Sequence, residues 1–167
     1  GVEPCYPKIR NYTIEKGTFF NNSQNAIYQK VAILGSITVK NLFKNQNPLG
    51  KTIYINNIPF TVIGILGAKG TTGEQGNIDN VVMIPIRTAL RRVFNNDYLS
   101  QMYFKIYDFN YMTDTEQLIT NFIRESHKLN IYKKEDDFTI NNQVNTIRAS
   151  EETTSSFRYL TNGIALI

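Results

Sequence analysis

One histidine, His127, and one cysteine, Cys5, are all the chain offers of the side chains most used for soft metals and nucleophilic catalysis. A zinc centre draws three or four ligands from such residues, so a Cys/His zinc site is excluded. A lone thiol closes no internal disulfide and leaves the redox compartment open. Cys5 reads as a small, semi-buried residue rather than a reactive thiol. His127 stands near the end of a helical stripe, where free carbonyls favour a cationic side chain. No triad can be assembled around a single histidine, and no Gly-x-Ser-x-Gly elbow occurs.

Phosphate-binding loops are missing too. Gly50-Lys51-Thr52 has the right order of residues, but Asn45 stands where the loop needs its first glycine, and the triplet leads into a strand pattern. The carboxylate groups Glu135-Asp136-Asp137 and Glu151-Glu152 lack the spaced ligands and turn glycine of a calcium loop and read as solvated charge. The net charge of +4 is dispersed, apart from pairs such as Arg91-Arg92 and Lys133-Lys134. A nucleic-acid surface gathers its basic residues on one face, so nucleic acid is not an expected partner. The residues therefore predict no catalytic group, no cofactor and no metal.

What is present is a folded pattern. Val31-Ala32-Ile33-Leu34, closed by Gly35, is the continuous apolar run of a buried strand. Ser36 is placed to cap a helix whose Val39, Leu42 and Phe43 share a face. Glu15-Lys16-Gly17 marks a turn before the apolar anchor Phe19-Phe20. Residues 52–55 and 58–66 flank Asn56-Asn57 and predict a hairpin, with Pro59 at a strand edge or bulge. A glycine-bearing loop covers 67–77, a strand 81–84, and a helix 86–94 with Leu90 and Val93 inward. Beyond these, the alternation of Met102, Phe104 and Ile106 predicts a strand over 101–107. Thr113 and Glu116 match a capping box ahead of the stripe Leu118, Ile119, Phe122 and Ile123. A short strand is expected at 137–140 and a final helix from Thr146 onward. The apolar stretch Gly163–Ile167 is too short to span a bilayer, and reads as a buried helix end or as the first turn of a membrane helix.

An ordered series of segments runs through the chain: Glu15-Lys16-Gly17-Thr18-Phe19-Phe20, Val31-Ala32-Ile33-Leu34-Gly35, Leu42-Phe43, Pro48-Leu49-Gly50-Lys51-Thr52-Ile53, Phe60-Thr61-Val62-Ile63-Gly64-Ile65-Leu66, Ile84-Pro85 and Asp137-Phe138-Thr139-Ile140. In this order the series resembles the extracytoplasmic domain of MacB-like ABC-transporter permeases. The resemblance implies an α+β fold: a porter-like α/β subdomain from residues 1–17 and 99–145, a second hairpin-containing α/β lobe inserted at 18–98, and a C-terminal stalk helix at 146–167. It implies a non-enzymatic domain on the periplasmic side of the inner membrane, with ATP hydrolysed on a separate cytoplasmic module. Implied partners are a second permease protomer, a periplasmic adaptor and an outer-membrane channel, and the expected role is efflux of antibiotics, peptides or amphiphiles. Lipoprotein-release and cell-division permeases carry related outer domains and stay open as alternatives. A stand-alone basic binding domain is a further one. Loop tips on rigid hairpins often carry recognition, so Thr71, Thr72, Gly73, Glu74, Gln75 and Gly76 are the expected partner-contact residues.

Overall fold

The structure, a computed structural model, describes residues 1–44, 46–70, 78–129 and 135–142. Their order is α1 (Tyr6–Arg10), β1 (Ile14–Gly17), α2 (Asn22–Ala26), β2 (Val31–Leu34), α3 (Ser36–Phe43), β3 (Thr52–Ile55), β4 (Ile58–Leu66), β5 (Val82–Met83), α4 (Ile86–Thr88) and α5 (Met112–Ser126). A π-helical turn, Ala89–Phe94, continues α4, and a 3-10 turn, Phe109–Tyr111, precedes α5.

The sheet is built around β4, the longest strand. Its one edge pairs in parallel with β2, which in turn pairs antiparallel with β5. Its other edge carries β3 over Ile58–Thr61 and β1 over Gly64–Leu66, both antiparallel and lying end to end. Val2 adds a parallel bridge to Pro85, with Val2 N–H donating to Ile84 O and Ile86 N–H to Val2 O, each at 3.0 Å.

All four residues of β2 are buried, because both faces of the sheet are covered. Ala32 and Leu34 join Ile53, Phe60, Val62, Ile84 and Ala89 on one face, closed by Val39 and Phe43 of α3. Val31 and Ile33 join Phe20, Leu66 and Met83 on the other, closed by Val2, Tyr6 and Tyr12. The period of two along β2 thus assigns alternate residues to two separate cores.

The hairpin forms as its sequence dictates. Asn56 and Asn57 both take the left-handed conformation, at φ 47° and 62°, which a two-residue type I′ turn requires. Pro59 pairs with Tyr54 on the β3 side and lies before Thr61, where the β2 ladder begins, so no central hydrogen bond is lost.

Several expectations are corrected. Glu15-Lys16-Gly17 is strand, with a register shift between Ile14 and Lys16 that masks its alternation. Gly17 has φ 77°, and a Cβ there would overlap the carbonyl oxygen of Ile63. Ser36 is the first residue of α3 and does not cap it; the free Ile37 N–H is taken by Asp79 O at 3.1 Å. The capping-box residues Thr113 and Glu116 fall inside α5, which begins after the Phe109–Tyr111 turn. Leu42 is 58% exposed, while Val39 and Phe43 face the core. No strand forms over 101–107 or 137–140, since neither finds a ladder partner among the described residues.

The chain divides into two compact units, Gly1–Lys105 and Ile106–Ile167. β1 and Val2 are hydrogen-bonded into the sheet of the first unit. In the second unit, α5 buries Ile123 but leaves Leu118 and Phe122 69% and 71% exposed. The residues 135–142 meet α5 through three polar pairs: a two-point Arg124–Asp136 bridge at 2.7 and 2.6 Å, His127 Nδ1 to Asp137 Oδ1 at 2.8 Å, and Asn142 donating to Glu116 at 3.0 Å. The expected stalk at 146–167 lies outside the described residues.

Candidate functional site

The expected partner-contact residues Thr71, Thr72, Gly73, Glu74, Gln75 and Gly76 lie outside the described residues. The stems on both sides of them are described, and they are tightly fixed. On the incoming side, Gly67 N–H donates to Thr13 O at 2.9 Å. Asp79, on the outgoing side, reaches back with its carboxylate: Oδ1 accepts from Lys69 N–H at 2.9 Å and Oδ2 from Gly70 N–H at 3.0 Å. Asp79 is buried, and its backbone carbonyl also closes the first turn of α3. Next in sequence, Asn80 Oδ1 and Val81 O both accept from the Thr38 hydroxyl, at 3.2 and 3.1 Å. One short stretch, 79–81, therefore ties the loop to β4 and to α3 at once.

An aromatic and basic cluster lies against the incoming stem. The Lys69 ammonium donates to Arg10 O at 2.6 Å and sits 4.3 Å above the Tyr12 ring. Tyr12 stacks on Tyr6 at 6.0 Å, Tyr6 meets Tyr103 edge-on at 5.7 Å, and the Arg10 guanidinium covers Tyr103 at 4.6 Å. Burial pushes the Tyr6 hydroxyl above the ordinary tyrosine range, with neighbouring Tyr103 and Tyr12 adding to it and Arg10 opposing. Burial likewise raises Tyr12, again against Arg10. Such a cluster offers cation–π contacts, ring stacking and hydrogen bonding, which are means of adhesion. It contains no activated nucleophile.

The remaining sequence candidates are placed as follows. His127 ends α5, its backbone N–H donating to Ile123 O at 2.8 Å, and its ring pairs with Asp137 and lies edge-on to Phe138 at 6.4 Å. Asp136 and Asp137 are engaged with Arg124 and His127. Among the described residues no three His, Cys, Asp or Glu side chains are grouped to hold a metal ion. Cys5 is exposed, just ahead of α1. The Lys51 ammonium bonds Gln46 Oε1 at 2.6 Å rather than pointing into a phosphate cradle. Glu151 and Glu152 lie outside the described residues. Sequence reasoning missed Asp79 and the tyrosine cluster. An acidic residue just past a glycine-bearing loop was the available signal for the first, whereas the second joins residues up to 97 positions apart and left no local trace.

Comparison with known proteins places this architecture. The family model of the MacB-like periplasmic core domain matches residues 1–122. The chain is 38% identical over 160 residues to the macrolide export ATP-binding/permease protein MacB of Chlorobium phaeobacteroides, covering 96% of this chain and 24% of that protein. It is 33% identical over 162 residues to the MacB of Marinobacter nauticus, with 97% and 24% covered. The chain thus spans about a quarter of the length of the curated relatives it matches. The solved periplasmic region of MacB from Actinobacillus actinomycetemcomitans superposes with a TM-score of 0.69 at 24% identity, covering 91% of this chain and 64% of that one. The extracellular domain of the noncanonic ABC-type transporter YknZ from Gram-positive bacteria gives 0.64 at 19% identity, covering 77% and 63%. The chain belongs to the MacB-like periplasmic core domain family and is the periplasmic part of an inner-membrane ABC-transporter permease.

Proposed function

We propose that this periplasmic core domain is a mechanical coupling module, which passes ATP-driven movement of its permease to a periplasmic adaptor and, through it, to an outer-membrane channel. ATP is hydrolysed on a cytoplasmic module of the whole transporter, and the domain itself works without cofactor or metal. The exported cargo is an antibiotic, peptide or amphiphile, and the working unit contains two permease protomers. The observation that carries the reading is the family match across residues 1–122. The sheet supports it: with both faces packed and its strands tied to α3 and to the N-terminal segment, it is suited to transmit force rather than absorb it. Residues 1–17 and 99–145 as a porter-like subdomain, 18–98 as an inserted lobe and 146–167 as a stalk belong to the same proposal.

The 71–76 tip is the proposed adaptor contact, presented on a stem that Asp79 holds in place. The test uses the full-length protein. An apolar span of about 20 residues directly after Ile167 is expected, and its absence removes the permease assignment. Pull-down against a periplasmic adaptor and against a lipoprotein carrier then separates efflux from lipoprotein release. Deleting 71–76 is expected to weaken adaptor capture while leaving the melting temperature unchanged; unaltered capture rejects the loop as the contact.

A further inference from the structure

The first unit, Gly1–Lys105, is basic: twelve Lys and Arg stand against five Asp and Glu, a net charge of +7. Three of its four arginines, Arg87, Arg91 and Arg92, are gathered on α4 and on the π-helical turn that continues it. Between Asp79 and Asp108 the chain has a single acidic residue, Asp97. All three arginines are exposed, while Thr88 and Ala89 between them are buried. Phe94, at the end of the same turn, is 57% exposed. None of the three guanidinium groups has an ion-pair or hydrogen-bond partner among the described residues. The backbone that carries them is fixed. Arg87 N–H donates to Oδ1 of the buried Asn25 at 3.2 Å, Asn25 Nδ2 holds Glu3 Oε2 at 3.2 Å, and the Thr88 hydroxyl donates to Gln29 O at 3.0 Å. Asn95 N–H closes the π turn on Leu90 O. Turns of this kind are rare and frequently stand at functional sites.

We propose that Arg87, Arg91, Arg92 and Phe94 form a second adaptor contact, which receives an acidic segment of the adaptor with an apolar side chain beside its carboxylates. Charge complementarity decides the occupant. A guanidinium takes a carboxylate through two parallel hydrogen bonds, and a run of three on a basic unit selects a partner of the opposite sign. Phe94 distinguishes the face from a bare anion site, because arginine together with an aromatic ring is the composition of the energetic centre of protein–protein interfaces. A segment whose backbone is already fixed also costs less to order on binding. A phospholipid surface offers phosphate and apolar chains as well, but the proposed stalk separates the domain from the bilayer, which favours a partner protein. The inference rests on the reading of the domain as an adaptor-coupled module, and it adds a surface separate in sequence from the 71–76 tip.

The experiment measures the affinity of purified periplasmic adaptor for the full-length permease in nanodiscs of neutral lipid. For the unaltered protein the affinity is expected to fall as sodium chloride rises from about 50 to about 300 mM, because exposed charge pairs are screened. The triple substitution Arg87→Gln, Arg91→Gln, Arg92→Gln is expected to weaken binding at least about tenfold at the lower salt and to flatten the salt dependence. Phe94→Ser is expected to weaken binding at least about threefold and to keep the salt dependence. Four exposed side chains are changed, so the melting temperatures are expected to stay at the unaltered value. An unaltered protein whose affinity ignores salt overturns the proposal. So does a triple variant, or a Phe94→Ser protein, that binds adaptor as tightly as the unaltered one. A triple variant that keeps its adaptor affinity but loses capture by phosphatidylglycerol vesicles assigns the face to a lipid surface and overturns it too. An unaltered permease that binds no adaptor at either salt removes the coupling reading and this inference with it, whereas adaptor binding that survives the substitutions removes the inference alone.

Discussion

Asp79 holds Lys69 across the base of the glycine-bearing loop, its Oδ1 accepting the Lys69 backbone N–H at 2.9 Å while Oδ2 takes that of Gly70 at 3.0 Å. The carboxylate is buried although Lys69 and Gly70 are exposed, so removing it loses two hydrogen bonds to a charged acceptor. Asp79→Ala is expected to cost about 1–3 kcal/mol of stability, and Asp79→Asn less, because one acceptor oxygen survives. Urea denaturation measures both. A wild-type midpoint in the alanine protein would show that the stem is held by something else.

Phe60 is the core residue whose loss should be felt most. It is fully buried on the face shared by Leu34, Val62 and Ile84. Phe60→Ala leaves a cavity in a tightly packed layer and is expected to cost about 3–5 kcal/mol. By contrast Tyr54, one strand over and 73% exposed, should tolerate alanine with little change in the same denaturation assay.

Two glycines with nearly the same backbone angle should answer alanine very differently. Gly50 has φ 76° and open space around a Cβ, so Gly50→Ala carries only the left-handed penalty, about 1–2 kcal/mol. Gly17 has φ 77° and the Ile63 carbonyl where the Cβ must go. Gly17→Ala adds overpacking to that penalty, for a total of about 2–5 kcal/mol. Equal losses in thermal melts of the two proteins contradict the close approach of β1 to β4.

How much of this was legible in the sequence follows from how local each signal is. Val31–Leu34 and the Asn56-Asn57 hairpin are written in adjacent residues, and both fold as read. β1 was not legible, because its bulge breaks the alternation and Gly17 imitates a turn. Leu118 and Phe122 follow the helical period, yet the face they form is open, since periodicity records a stripe and not what covers it. Asp79 was hidden for another reason: its role needs the loop ends brought together, which only the sheet achieves.

In the second unit, the Arg124 guanidinium beside Asp136 holds that carboxyl below its usual range through their two-point hydrogen bond. A depressed pKa contributes stability that is present above the unfolded value of 3.8 and is lost as pH falls through the folded one. Arg124→Gln is expected to return Asp136 toward the ordinary value, read by carboxyl NMR titration. An unmoved titration shows the pair to be absent in solution.

The tyrosine cluster makes the opposite prediction at high pH. Tyr6 and Tyr12 are raised above 10.0, chiefly by burial, so the folded protein holds these two protons more tightly than the unfolded chain does. Their contribution to stability is complete below the unfolded pKa and is lost as pH rises through the folded values, in a window that opens above pH 10. Tyrosinate absorbance should therefore show Tyr6 and Tyr12 ionising late. Arg10 works against the shift in both, because its charge favours the phenolate. Arg10→Gln should consequently move the late phase to still higher pH, whereas a cluster loosened by the substitution would ionise earlier, with the bulk. A late phase that moves down in the Arg10→Gln protein rejects the stacked arrangement of Arg10, Tyr6 and Tyr103.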